Sequence, residues 1–298
     1  MASIDSSTQE RGAPGLSGPG CADRAVVIVG HGSLRPGAGS DLVRLAAHIS
    51  AAGRGLAARP AFLSLSRPTL LEALAHHSSS GTREIIVVPY FLTYGRSLRA
   101  DLTALLNQAR CVYPHLQLRT AAPLDDHPAL ARLLLQRALE ADYLQAHPFI
   151  SCQQRRRQLE EGTDWQPLCK LRPTALLIAA HGSPERRANR PIYAVARQLR
   201  ASAGFAAVQV GYMHMNRPSL AEALGRLAAR NIHSCVAVPY FLSSGSHVAV
   251  ELPALLASAR ARCPIELLLA EHLSFDRALI AAVLDRISEA CAPSRAAR

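Results

Sequence analysis

Long hydrophobic runs are missing from this 298-residue chain. Its longest apolar stretches, such as Val236–Leu242, fall well short of the roughly 18 residues a membrane span requires, so a soluble protein with no membrane partner is expected. The first 23 residues, rich in Gly, Pro and Ser, hold no apolar stretch either and read as a disordered tail rather than a signal peptide, which makes a cytoplasmic location the default expectation. Closely spaced cysteines are also missing. Seven stand singly at 21, 111, 152, 169, 235, 263 and 291 with no C-x-x-C pair, which argues against a thiolate zinc or iron–sulfur site. Lysine is nearly absent, Lys170 being the only one, so the formal charge of +11 is carried by arginine, whose planar fork suits carboxylates and phosphates. Aromatic residues make up 5%, and no concentrated basic stripe exists beyond Arg155-Arg156-Arg157; both argue against a nucleic-acid partner.

What the chain does have is apolar content, 49% hydrophobic against 18% charged, enough to exclude disorder over its whole length and to give two domains a core each. It also repeats. Residues 87–106 (VVPYFLTYGRSLRADLTALL) align without gaps onto 237–256 (AVPYFLSSGSHVAVELPALL) with 10 of 20 positions identical, at an offset of 150. The same offset lays SRPTLLEAL (66–74) on NRPSLAEAL (216–224), and His31-Gly32-Ser33 on His181-Gly182-Ser183. Three matches at one offset indicate a tandem duplication.

In each half, short β-branched runs alternate with longer amphipathic stretches, as in βα units around a parallel sheet. Strands are expected at 25–30, 60–65, 84–89 and 116–121, and again at 174–180, 207–213, 233–239 and 265–270. They are apolar at nearly every position, so both sheet faces should be covered by helices. The fold expected is α/β: two tandem, similar, doubly wound parallel-sheet lobes facing a central cleft. The divisions are a tail over 1–23, an N-terminal lobe over 24–143, a polar linker over 144–172 and a C-terminal lobe over 173–292.

Ligand sites of such sheets lie beyond the carboxyl ends of the strands. His181 follows the first strand of the second half, His214 ends the second, and His247 sits in the glycine-containing loop after the third, at spacings of 33 and 33. Three imidazoles from successive strand ends suit a divalent transition metal; singly, each reads equally as a turn histidine bonding locally. At offset 150 the first half holds His31, Ser64 and Ser97, so only one histidine has a counterpart there. A duty performed by one half fits this better than a requirement of folding.

The G-H-G-S of Gly30–Ser33 with its copy Ala180–Ser183, the R-P-[ST]-L-x-E-A-L segments and V-P-Y-F-L-x-x-G-x-H-V-x-x-E-L-P over 238–253 resemble the sirohydrochlorin chelatases of the small-tetrapyrrole class, over nearly the whole chain. The resemblance implies an ATP-independent lyase that needs no cofactor and inserts cobalt or ferrous iron, in some relatives nickel, into sirohydrochlorin for cobalamin or siroheme biosynthesis. It implies that His181 and His247 bind the metal and carry catalysis. Where bacterial members commonly have glutamate at the second strand end, this chain has Ser64 and His214. His214 is thus a candidate third ligand, a modifier of metal preference, or a surface histidine at a tolerant site. His31 keeps the family histidine without its partner and is assigned to substrate binding or to lining the cleft. The substrate's rim of carboxylates makes Arg96 and Arg99 candidates for binding it, with Arg67 and Arg217 open to a helix-start role instead. Ser183 and Ser246 are further candidates, turn capping being their alternative. Glu251 reads first as a helix N-terminal acid complementing the dipole and second as a group orienting a histidine or accepting a proton.

Two other functions compete. An H-G pair after a first strand also occurs in phosphohistidine phosphatases, but their preceding arginine is Gly30 or Ala180 here. A metal or tetrapyrrole carrier would use the same residues without turnover. The duplicated chain already contains two lobes, so a monomer with an internal pseudo-twofold is expected.

Overall fold

The computed structural model describes residues 24–146 and 173–292, except 36, 38, 53–55 and 203, with backbone alone at 143–146 and 202. The first half runs β1 (Arg24–Gly30), α1 (Ser40–Ala51), β2 (Ala57–Phe62), α2 (Leu70–Ser79), β3 (Glu84–Pro89), α3 (Arg96–Val112), β4 (Gln117–Thr120) and α4 (Pro128–Ala146). The second half runs β5 (Thr174–Ala180), a 3-10 turn (Arg186–Asn189), α5 (Arg190–Ser202), β6 (Ala207–Tyr212), α6 (Leu220–Ala228), β7 (Ser234–Pro239), a π-helical turn (His247–Glu251), α7 (Leu252–Arg260), β8 (Glu266–Leu269) and α8 (Arg277–Cys291). Each half forms a four-stranded parallel sheet, in the orders β2-β1-β3-β4 and β6-β5-β7-β8. The expected tail and all but the first three residues of the expected linker lie outside the described residues, and those three continue α4.

The sheets are covered on both faces, and the two-residue period of the strands sorts their side chains between separate cores. In β1, Ala25, Val27 and Val29 join an outer core with α2 and α3, while Val26 and Ile28 face inward. In β5, Ala175, Leu177 and Ala179 pack outward with α6 and α7, while Leu176 and Ile178 face inward. The inward sets meet: one buried cluster runs from Val26 and Ile28 through Leu130 and Leu134 of α4 to Leu176, Ile178 and Val283. The two lobes therefore share a middle layer. Within it the last helix of each half is exchanged, α4 packing on β7 and β8 of the second sheet and α8 on β3 and α1 of the first.

The fully buried Arg137 fastens one side of this exchange. From α4 its Nε donates to the His272 carbonyl at 3.1 Å and its Nη2 to the Leu273 carbonyl at 2.9 Å, with Glu140 at 2.9 Å and Asp276 at 3.0 Å as anionic partners. From α8, Arg286 donates through Nε to the Pro123 carbonyl at 2.8 Å and through Nη2 to that of Leu124 at 3.5 Å. Beside this second anchor Tyr240 of the second lobe donates its hydroxyl to the Asp125 carbonyl at 3.2 Å. Burial, helped by the neighbouring Asp126, pushes the Asp125 carboxyl up to about 6.

Seven of the eight strands fall within two residues of expectation at each end, but the second is displaced, running over 57–62 rather than 60–65. Pairing with β1 ends at Phe62↔Gly30, and beyond it the backbone turns through a left-handed Leu65 (φ 62°) toward α2. Apolar residues at 63 and 65 imitate strand alternation in what is a loop. The R-P-[ST]-L-x-E segments are helix starts: Thr69 and Ser219 form capping boxes with Glu72 and Glu222. Arg67 and Arg217 pair with those same glutamates, the second at 2.9 Å, so their structural role is at the helix starts. Among the described residues no helix is long and apolar enough to cross a membrane.

Replacing Arg137 by Ala removes the buried donor to two carbonyls and to Asp276, and is expected to cost roughly 3–5 kcal/mol, the range for breaking a buried pair; urea unfolding measures it. Because the native Asp125 carboxyl holds its proton more tightly than the unfolded one, stability is lost as pH rises from about 4 through 6. Asp125→Asn should therefore stabilise the fold by about 1–2 kcal/mol at pH 7.5, a gain that disappears near pH 4 in the same assay.

Candidate metal centre

Sheet order brings the three histidines together. In β6-β5-β7 the central strand ends just before His181, and its two neighbours lead to His214 and His247. Pairing persists past the sheet, for the Met213 N–H donates to the Ala180 carbonyl at 2.9 Å and the His214 N–H to the His181 carbonyl at 3.1 Å. His214 thus lies two residues beyond β6 rather than ending it. Gly182 makes the close approach of these loops possible: at φ +93° a Cβ there would lie 2.4 Å from the His214 carbonyl oxygen. His247 opens the π-helical turn after β7.

The ring centroid of His181 is 5.3 Å from that of His214 and 4.7 Å from that of His247, and the outer pair is 6.3 Å apart. One ligand atom from each of the three lies within 4.8 Å of the others. Imidazole bonds of about 2 Å put donor atoms roughly 3–4 Å apart around an ion, so small side-chain rotations close the set. His181 and His214 are half-buried and His247 is exposed, leaving the centre open on one side.

Hydrogen bonds select the nitrogen each ring has free. His181 Nδ1 meets the Gly182 carbonyl at 3.1 Å, His247 Nδ1 meets Glu251 Oε2 at 2.6 Å, and His214 Nε2 meets Glu251 Oε1 at 2.5 Å. A carbonyl or carboxylate oxygen only accepts, so these nitrogens donate, and lone pairs remain at Nε2 of His181, Nδ1 of His214 and Nε2 of His247. The hydrogen bond from His247, with His214 beside it, holds the Glu251 carboxyl below the ordinary carboxylate range. Glu251 stands at the N-terminus of α7, as its first reading has it, but its carboxylate caps no helix N–H and instead meets two histidines, as its second reading has it. The H-x-x-x-E spacing of 247 and 251 was the available signal, since residues four apart share a helical face.

His181 also lines a cleft between the lobes, and His31 lines its opposite wall. The walls are largely apolar and aromatic, with Phe62, Tyr90, Phe91 and Phe241 among them, and Asp41 is a carboxylate on the first lobe's side. Ser183, Ser246, Arg96 and Arg99 stand outside the lining of this cleft. The Ser183 Oγ accepts the Glu185 N–H at 3.2 Å, the turn role that was its alternative. Ser246 precedes the π-helical turn with no side-chain capping bond. Arg96 is exposed at the start of α3 and gives its backbone N–H to Glu185. Arg99 lies over the Tyr94 ring at 5.3 Å and donates to the Tyr94 carbonyl at 3.2 Å. Among the described residues the first half brings together no such triad, Ser64 and Ser97 standing where the second half has His214 and His247.

Two duplicated lobes with a cleft between them, and three imidazoles gathered at the strand ends of one, define a tandem parallel-sheet α/β protein. The chain belongs to the CbiX family, whose model matches it twice, over residues 25–141 and 175–290. A sirohydrochlorin cobaltochelatase of Priestia megaterium is 22% identical over 222 residues, 74% of this chain and 65% of that relative, so the chain spans just under two thirds of that protein's length. Two solved structures share the fold. SirB from Bacillus subtilis with Fe3+ superposes with a TM-score of 0.72 at 18% identity, covering 91% of this chain and 96% of that one. The sirohydrochlorin chelatase SirB from Bacillus subtilis subspecies spizizenii, in complex with cobalt, gives 0.66 at 18% identity over 90% and 95%.

The centre predicts an asymmetric response in Co2+ titrations followed by absorbance. His181→Ala or His247→Ala should weaken binding by roughly 100-fold or more, and Glu251→Gln by about 10-fold, within the range for groups that orient a ligand. His31→Ala should leave the affinity within about twofold, and equal losses from His31→Ala and His181→Ala would show that both lobes contribute to one shared centre.

Proposed function

We propose that this protein is a sirohydrochlorin chelatase, an ATP-independent lyase inserting a divalent metal, Co2+ or Fe2+, into sirohydrochlorin. The observation that carries the reading is the convergence of His214 and His247 on His181, which itself lines an apolar interlobe cleft. Membership of the CbiX family and the names of the relatives support it. The cleft takes the macrocycle between the lobes, its aromatic walls against the flat faces of the ring. His181, His214 and His247 hold the incoming ion, which is a substrate, and three neutral nitrogens on an open side bind it without the closed coordination that would trap it. Insertion releases two pyrrole N–H protons, and the imidazole nitrogens freed as the ion leaves are the bases placed to accept them. Glu251 stabilises those imidazolium forms from the position it already occupies between His214 and His247. No further cofactor enters this scheme, and a single chain supplies both walls of the cleft.

An absorbance assay with sirohydrochlorin and each of Co2+, Fe2+ and Ni2+ in turn tests the proposal. Repeated turnover with at least one metal is expected, abolished by His181→Ala. His214→Glu, which substitutes a harder oxygen donor, should change the ratio of rates among metals more than it lowers the best rate. Metallation that stops at one equivalent per protein would favour a carrier, and no metallation with any of the three would overturn the assignment.

A further inference from the structure

The lobe without the triad reaches across to the loop that carries His247. Arg35, five residues past β1, donates through Nη1 to the carbonyl oxygens of Gly245 at 3.1 Å and Ser244 at 3.4 Å. The Gly245 carbonyl also accepts the N–H groups of Val248 at 3.2 Å and Ala249 at 3.1 Å, so it anchors the first helical turn that leads into the π-helical one, whose own wide bond runs from the Leu252 N–H to the His247 carbonyl. The turn presenting Arg35 is itself held. The Arg35 N–H donates to Ser33 Oγ at 3.1 Å, and the Ser33 N–H donates to Ser66 Oγ at 2.9 Å.

At offset 150 the same device occurs with the opposite charge. The Glu185 N–H donates to Ser183 Oγ at 3.2 Å, the Ser183 N–H to Asn216 Oδ1 at 2.7 Å, and the Glu185 carboxylate accepts the Arg96 N–H in the first lobe's equivalent loop. Each lobe thus grips the other's third-strand loop. Only Arg35 grips a loop that contains a candidate metal ligand, because Ser97 stands where the second lobe has His247.

We propose that Arg35 is a positioning residue for the metal centre, fixing the start of the π-helical turn and so the place of His247 against His181 and His214. The proposal rests on the reading of those three histidines as the metal site. The loop needs such a tie: no Ser246 side-chain bond caps the turn, and a Cβ at Gly245 would meet nothing within 4 Å. Charge alone predicts the opposite effect, since a guanidinium near a divalent cation repels it, and its removal would tighten binding. Weaker binding without Arg35 therefore reports position.

The test is amide exchange at Val248 and Ala249 together with Co2+ titration, on the full chain and its R35A, R35K, E185Q and H247A variants. R35A should raise exchange at both amides and weaken Co2+ binding by about five- to tenfold, the size expected for the loss of one ordinary hydrogen bond. R35K, which keeps a donor, should recover part of both, and E185Q should change neither. Unchanged exchange, unchanged or tighter Co2+ binding in R35A, or an equal loss in E185Q would overturn the proposal. If H247A binds Co2+ like the wild type, the triad reading fails on its own, and the exchange data still decide whether Arg35 holds the turn.

Discussion

The exchanged terminal helices are the constraint on which the arrangement depends. Each half covers part of its inner sheet face with its own first helix, α1 or α5, and closes the rest of that row of Val, Ile and Leu side chains with the last helix of the other half. Arg137 and Arg286 make the exchange specific, since a guanidinium must find the carbonyls after the fourth strand of the opposite lobe or be buried without acceptors. At offset 150 from Arg137 stands Ile287, buried in the same middle layer, so only one of the two helices carries its charge there. The separation of the lobes, and with it the width of the cleft, follows from this shared layer.

Within that frame the histidine cluster is a property of sheet topology. Three adjacent strands ending at one level bring residues far apart in sequence within a few ångströms, and the central strand places His181 nearer to both partners than they are to each other. The π-helical turn then lets one carboxylate reach two imidazoles. Glu251 lies four residues after His247 on the same turn and meets His214 from the strand end on the far side of β5, so one anionic group fixes two tautomers.

Periodicity and the offset of 150 made the duplicated α/β fold legible before any coordinates, because buried parallel strands and tandem copies leave direct marks in sequence. The 33-residue spacings likewise pointed to one cluster. The exchange of α4 and α8 was not legible, since an amphipathic helix shows that it has a buried face but not which sheet covers it. For the same reason α4 continues to Ala146, into residues whose polarity read as linker. Charge and place in the loop single out Arg96 and Arg99, and sequence carries no sign that one gives its backbone to Glu185 while the other lies against Tyr94. Glu251 was underrated because its second partner, His214, lies 37 residues away along the chain.

Covalent fusion of the repeats explains how the halves came to differ. Two identical chains related by a twofold axis present the same residues on both sides of their interface, so a serine at the position of His247 would appear in both or in neither. In a single chain Ser64 and Ser97 can replace two members of a triad while the other copy keeps His214 and His247. The first lobe then keeps the features that serve the second. Phe62 and Phe91 remain as cleft wall, His31 faces His181 across it, and Arg35 reaches the loop of His247. The cleft therefore has two unequal walls, one carrying His181 with its two partner imidazoles behind it and the other carrying His31 among aromatic side chains.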